Sequence, residues 1–248
     1  MSRRILGVML TCLLMIGQPA ASQGDNQAVK LLKKAIHLTP DIDNGREVYR
    51  LCAICHMPEG WGMKNGNYPQ VAGQHSTVTI KQLADILALN RDNPTMFPFT
   101  QENLKPQDLA DVAAYLARQP MTPDNGLGPG TDLDHGKRLY EENCVDCHRS
   151  NGEGIKAKHM PLIQGQHYNY LVRQFKWIRD GKRRNANKEM VKQIQGFTDR
   201  DISAVMDYTS RLKPPAERLA TPGWQNPDFP GFVRMELLKE TLSPTDPE

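Results

Sequence analysis

The 248-residue chain is poor in several things at once. Aromatic residues make up only 6% of it, and its five cysteines are far too few for a small disulfide-stapled fold. Neither sign of charge dominates: 31 Lys and Arg face 28 Asp and Glu, a formal net of +3. That balance removes the basic footprint of a nucleic-acid binder, so no nucleic-acid partner is expected. No apolar run reaches the roughly 20 residues that a membrane-crossing helix needs. No stretch alternates apolar and polar residues in the manner of a half-buried strand. What remains, 39% apolar and 24% charged residues, is ordinary globular material.

The first 22 residues stand apart. Arg3 and Arg4 precede an apolar stretch over 5–16, and Gln18-Pro19-Ala20-Ala21-Ser22 supplies small residues for cleavage. This is the pattern of a secretory signal peptide over 1–22, cut after Ser22, with export to the periplasm. An uncleaved interfacial anchor is the competing reading. A lipoprotein site at Cys12 is disfavoured, because Thr11 precedes it and the apolar run continues past it. Without residues 1–22, 29 basic and 28 acidic residues remain.

The rest of the chain says most things twice. Cys52-Ala53-Ile54-Cys55-His56 returns as Cys144-Val145-Asp146-Cys147-His148. Thirteen residues after each His comes a proline, Pro69 and Pro161, and seventeen after it Gly-Gln-His, at 73–75 and 165–167. Gln82 and Gln174, Arg91 and Arg183, and Met96 and Met190 follow in the same order; Gly45 and Tyr49 match Gly136 and Tyr140 upstream. This is a tandem duplication. The expected organisation is an N-terminal extension over 23–44, a first unit over 45–120, a Pro- and Gly-rich linker over 121–133, a second unit over 134–213, and a Pro-rich tail over 214–248 carrying Trp224, Phe229 and Phe232.

Both units read as helical. Ile80, Leu83 and Leu87 recur at helical spacing, as do Leu109, Val112, Ala113 and Leu116. The second unit repeats this with Leu171, Phe175 and Ile178, then Ile202, Val205, Met206 and Thr209. Asp108 and Asp199 stand where acidic groups favour a helix N-terminus. Each unit is small for one unaided core.

Cys-x-x-Cys-His is the attachment signature of a c-type haem. Two thiols three residues apart share a helix face and reach the two vinyl groups on one porphyrin edge, and the next residue, His, reaches the iron. One zinc site built from both pairs is disfavoured by their separation in distinct repeats. A thioredoxin-like redox motif wants a βαβ setting that is missing. A disulfide within each pair leaves the paired His unexplained. Two covalent haems also answer the shortage of aromatics, because each porphyrin fills the centre of a small helical unit. The haem-free chain is therefore expected to fold poorly.

On these motifs, with Pro69-x-x-x-Gly73-Gln74, Pro161-x-x-x-Gly165-Gln166 and a Met ahead of each last helix, the chain resembles the dihaem cytochrome c4 family over about residues 45–213. The resemblance implies an all-α fold of two class I cytochrome c domains about a pseudo-twofold axis, each wrapped around a covalent haem. It implies attachment through Cys52 and Cys55 and through Cys144 and Cys147, and iron ligation by His56 with Met96 and by His148 with Met190. Met57, Met63, Met121 and Met160 are weaker rivals, lying beside the attachment turn, in the linker or against Pro161. The proline after each haem site is implied to help hold the axial His. Arg91 and Arg183 are candidates for haem propionates, or plain solvated helix ends. His75 and His167 are rival ligands, haem-edge hydrogen-bonding groups, or partly exposed loop residues near the domain interface; His37, His135 and His159 have no repeat partner and read as surface residues.

The implied activity is an exported electron carrier, passing single electrons by outer-sphere transfer between a quinol-oxidising complex and a terminal oxidase. With both iron positions filled by protein, catalysis is not expected. The alternatives are a cytochrome subunit of a periplasmic dehydrogenase and a dihaem enzyme such as a peroxidase. A thiolate-ligated enzyme is disfavoured, since haem attachment consumes all four cysteines after the signal. Residues 134–213 hold sixteen basic and ten acidic residues against seven of each over 45–120. An acidic partner or an anionic membrane surface is expected for the second half.

Overall fold

The computed structural model describes residues 20–101 and 104–232. Within them the chain runs through α1 (Ala20–Ile36), α2 (Ile42–His56), α3 (Ser76–Leu87), α4 (Phe97–Gln101), α5 (Pro106–Arg118), α6 (Leu133–Asn143), α7 (Val145–His148), α8 (Tyr168–Arg179), α9 (Lys188–Ile194) and α10 (Asp199–Ser210). Among the described residues, β structure is limited to two isolated bridges, Met121 with Leu219 and Ile155 with Met160. The all-α reading holds. The signal segment lies outside the described residues except for 20–22, which open α1.

Each half is organised by one helix crossing, α2 on α5 and α6 on α10. The repeated glycine sits where the two helices touch. A Cβ on Gly45 would lie 2.3 Å from the Asp111 carbonyl oxygen, and one on Gly136 would lie 2.1 Å from that of Ala204. No side chain fits there, which is why glycine recurs. One turn on, Tyr49 and Tyr140 are fully buried, their rings 5.6 Å from Tyr115 and 5.5 Å from Tyr208. The helical periodicities fall on the core side: Leu109, Val112, Ala113 and Leu116 of α5, and Ile202, Val205, Met206 and Thr209 of α10, are all buried.

Capping explains where these helices begin. Asp41 accepts from the Asp43 and Asn44 amides and starts α2. Pro106 opens α5, and Asp108 reaches back to the Lys105 amide. In α10 the reciprocal pair is Thr198 with Asp201, one turn into the helix, and Asp199 lies nearer the end.

The halves differ in what covers them. Helix α1 lies on α3 and α5, with Leu31, Leu32 and Ala35 against Ile80, Ala84, Leu109 and Ala113. Residues 214–232 also return to the first half. Phe229 meets the Tyr49 ring edge-on at 5.8 Å and packs with Phe232; Trp224 lies 5.7 Å from Trp61. Asn226 is buried and donates to the Pro58 carbonyl (2.7 Å) and the Tyr115 hydroxyl (3.0 Å). The stretch read as a linker is partly interior: Met121 is 1% exposed, and the Thr122 amide donates to Gln70 Oε1 at 2.8 Å. Proline and glycine mark turns, and here the turns are packed between the halves.

A symmetric set of hydrogen bonds closes the seam. Gln166 Oε1 accepts from the Gln70 amide (3.0 Å) while its Nε2 donates to the Gln70 carbonyl (2.9 Å). Gln74 makes the same two bonds to Leu162, at 3.0 and 2.9 Å. His75 Nε2 pairs with the Glu153 carbonyl and His167 Nε2 with that of Trp61, both at 2.7 Å. Both histidines stand at the seam between the halves; His75 is partly exposed there as a loop residue, but His167 is buried at 1%, because Trp61 and Gly126 close over it.

Candidate haem sites

The two Cys-x-x-Cys-His segments are set up alike by the turn that follows them. The residue after each His is left-handed, Met57 at φ 63° and Arg149 at φ 65°. A non-glycine residue there costs roughly 1–2 kcal/mol. The buried tyrosines compensate: Tyr49 Oη donates to the Met57 carbonyl at 2.7 Å and Tyr140 Oη to that of Arg149 at 2.8 Å. The chain then folds back, so that the Gly62 amide donates to the His56 carbonyl and the Gly154 amide to the His148 carbonyl. The repeat showed Tyr49 and Tyr140; the task of closing this turn was not visible in it.

Both histidines are buried, and their rings are held in one way. His56 Nδ1 lies 3.0 Å from the Pro69 carbonyl oxygen and His148 Nδ1 lies 3.0 Å from that of Pro161. A carbonyl only accepts, so Nδ1 carries the proton and Nε2 keeps its lone pair. Burial lowers both pKa values, which favours the neutral ring that a metal requires. The thiols behave accordingly. Burial pushes Cys52 up to about 11 and Cys144 up to about 12, the opposite of a metal-binding or redox thiolate. All four thiols are unpaired, with Cys147 exposed and Cys52, Cys55 and Cys144 half-buried. In the first half α2 runs unbroken through the motif; in the second the chain bends at Cys144 and the motif occupies the short α7.

Met96 and Met190 have matched surroundings. Each amide is the third after an asparagine whose side chain accepts from it, Asn93 at 3.3 Å and Asn187 at 3.1 Å. Each is half-buried, and Met190 packs on the second core beside Val191 and Phe197. Met57, Met63 and Met160 lie by the attachment turns, and Met121 is locked in the seam.

Arg91 and Arg183 are not solvated helix ends. Arg91 donates to Gln82 Oε1 (2.8 Å) and Gln174 Oε1 (3.2 Å), and Arg183 donates to the same two oxygens at 2.9 and 2.8 Å. Two guanidinium groups thus meet at the seam on neutral oxygens. Among the described residues neither forms a salt bridge with a carboxylate. Burial, with the neighbouring Arg91, pulls Arg183 down to about 9. Asp85 offsets part of this charge, through space on Arg183 and by way of Asn185, but touches neither guanidinium directly. A pair of cations without a direct carboxylate partner fits the carboxylates of a haem, and with the neutral His donors it is the structure's own indication that the group belongs here.

The class follows: a tandem class I c-type cytochrome, one haem-binding unit in each half. The family model for cytochrome c matches residues 42–119 and 133–213. The chain is 32% identical to cytochrome c4 of Pseudomonas aeruginosa over 186 residues, covering 71% of this chain and 90% of that protein. It is 29% identical to cytochrome c4 of Azotobacter vinelandii over 194 residues, with 71% and 91% covered. The crystal structure of reduced recombinant cytochrome c4 from Pseudomonas stutzeri superposes with a TM-score of 0.63 at 27% identity, covering 70% of this chain and all of that one. The chain belongs to the cytochrome c family, within its dihaem cytochrome c4 group, and carries two covalently attached c-type haems. It is an electron carrier.

Proposed function

We propose that this carrier works as two closed, six-coordinate units, with thioether attachment at Cys52 and Cys55 and at Cys144 and Cys147, and with His56 and Met96 on one iron and His148 and Met190 on the other. The observation that carries this reading is the doubled histidine geometry: each ring is neutral, fixed by a proline carbonyl at 3.0 Å, and left with Nε2 for the metal. When bound, each haem supplies a one-electron iron couple whose potential a Met/His pair raises. The chain does the rest. The tyrosine-closed turn fixes the His, burial excludes water from it, and Arg91 and Arg183 neutralise carboxylates at the seam. With both iron positions filled by protein, no coordination site is left for a substrate, so the chain relays electrons and does not catalyse.

The functional units are 45–120 and 134–213, exported after removal of 1–22. Among the described residues no helix is long and apolar enough to cross a membrane. The partner of the second half is an acidic redox protein. Within eight residues of Met190 in sequence stand exposed Lys182, Arg184, Lys188 and Lys192, none in a salt bridge among the described residues. The matching positions of the first half are Asn90, Asp92, Pro94 and Pro98, with Leu89 and Phe99 exposed beside them. A quinol-oxidising donor and a terminal oxidase acceptor are the partners expected for such a relay. The dehydrogenase-subunit reading gains nothing from residues 214–232, which pack on the chain's own first half; the rest of the tail, 233–248, lies outside the described residues.

Met96→Ala and Met190→Ala test the ligand set. Each substitution removes one of two methionine-to-iron charge-transfer contributions in the oxidised protein and leaves the other intact. A variant that leaves both contributions in place rules its methionine out.

A further inference from the structure

Each clasp glutamine touches a particular peptide. Gln166 Oε1 accepts from the amide of Gln70, and that amide belongs to the Pro69–Gln70 peptide. The carbonyl of the same peptide is the one that His56 Nδ1 donates to. In the other direction, Gln74 Oε1 accepts from the amide of the Pro161–Leu162 peptide, whose carbonyl holds His148 Nδ1. One peptide therefore stands between the histidine of one half and the glutamine of the other, bonded at both ends by bonds of 3.0 Å.

The glutamine amides cannot turn over without loss. Oε1 of each also accepts from the next residue's amide, His167 or His75, at 3.0 Å, and Nε2 faces a carbonyl. A flip would oppose like groups at all three contacts. The orientation is thus fixed by the seam.

Hydrogen bonds in series polarise one another. An acceptor on a peptide N–H draws electron density toward that peptide's carbonyl oxygen, making it the stronger acceptor for the histidine N–H. A more strongly held Nδ1–H makes the imidazole a better donor through Nε2, and second-shell hydrogen bonds to a ligating His tune the metal in this way. We propose that the clasp is crossed in its effect: Gln166 tunes the haem bound through His56, and Gln74 tunes the haem bound through His148. This rests on His56 and His148 being the iron ligands. Each half then sets the electron affinity of its neighbour through one side chain, and loosening the seam moves both potentials.

The test uses the haem-loaded full chain with Gln166→Met and Gln74→Met. Two quantities are read: the proton NMR shift of each histidine Nδ1–H in the reduced state, and the midpoint potential of each haem followed through its own resolved resonances. Gln166→Met is expected to move the His56 Nδ1 proton upfield and raise the potential of that haem more than the other. Gln74→Met is expected to do the same at His148. If each variant acts on the haem of its own half, or on both equally, the crossed assignment is overturned and the clasp is only an adhesive. Gln166→Asn and Gln74→Asn, which keep an amide in the seam but shorten its reach, give the same decision should the methionine variants part the halves. The wild-type reduced spectrum separates the two readings: His56 and His148 ring protons without large haem ring-current shifts defeat the ligand set itself, before any variant is compared.

Discussion

Among the described residues the first half is wrapped by both extensions and the second is not, although the two share one scaffold. The close glycine crossing, the buried tyrosine, the left-handed turn and the proline-held histidine occur in both. Among the described residues, the first half adds α1 along its outer helices and Phe229 and Phe232 against its core. In the second half, exposed Lys and Arg flank the methionine in sequence; among the described residues the first half has none at the matching positions. Duplication thus preserved what holds a haem and let the exteriors diverge. One copy became the anchored half, and the other kept a charged face for encounter.

The strongest way to break that comparison is to take the haems away one at a time. Cys52→Ala with Cys55→Ala, and Cys144→Ala with Cys147→Ala, should each leave one haem per chain. A unit of this size is marginal without its porphyrin. The second half should lose amide protection at Tyr140 and Ile202 when its haem is missing. The first half should keep partial protection, because α1 still covers Ala84 and Leu109 and the tail still covers Tyr49 and Val112. Equal loss in both would remove any stabilising role for the extensions.

Next in size is Phe229→Ala. The ring is 8% exposed, and emptying such a site costs about 3–4 kcal/mol. Chemical denaturation monitored by hydrogen exchange should show the first half weakened by that amount and the second unchanged. Charge reversal at Lys182, Lys188 and Lys192 to Glu should slow reduction by an acidic partner about tenfold and flatten its dependence on ionic strength. Introducing lysines at Asn90 and Pro94 should leave that rate nearly unaltered.

Two smaller effects sharpen the likeness. Tyr49→Phe and Tyr140→Phe each delete one buried hydrogen bond, and each should cost about 1 kcal/mol in its own half by equilibrium unfolding. The last effect concerns one contact made in two chemistries. In the first half Asn44 Nδ2 donates to Asp108; in the second His135 Nε2 lies 2.6 Å from Asp201. Hydrogen bonds from Thr198, and then from His135, hold the Asp201 carboxyl down at about 2. A depressed carboxylate contributes stability above its unfolded value, near 4, and that contribution fades as pH falls toward 2. Asp201→Asn should remove this small acid-side slope from the unfolding of the second half.

Much of the scaffold was legible because its signals are local or repeated in register. The Cys-x-x-Cys-His pairs, the prolines and the apolar faces of α5 and α10 are local signals, and Gly45 and Tyr49 stood out because Gly136 and Tyr140 repeat them, although they pack on Asp111 and Tyr115 far along the chain. The bend at Cys144 was not legible, since nothing in the motif separates α2 from the broken α6–α7 pair. The burial of Met121 and the docking of 214–232 depend on partners about 100 residues or more away, such as Leu219 with Met121 and Phe229 with Tyr49. Composition marks such segments as turns without saying what they touch. The glutamines stood out as a repeat, but their partners lie in the other half, 88 and 96 residues distant. Arg91 and Arg183 likewise meet only because the fold brings two copies of one position together.

The most direct test of the whole account is a haem count against protein, combined with magnetic circular dichroism of the oxidised wild-type chain. Two haems per chain are expected, both low-spin, with a methionine-to-iron charge-transfer band of the intensity of two. A single haem, or a second haem that is high-spin or bis-histidine, would contradict it.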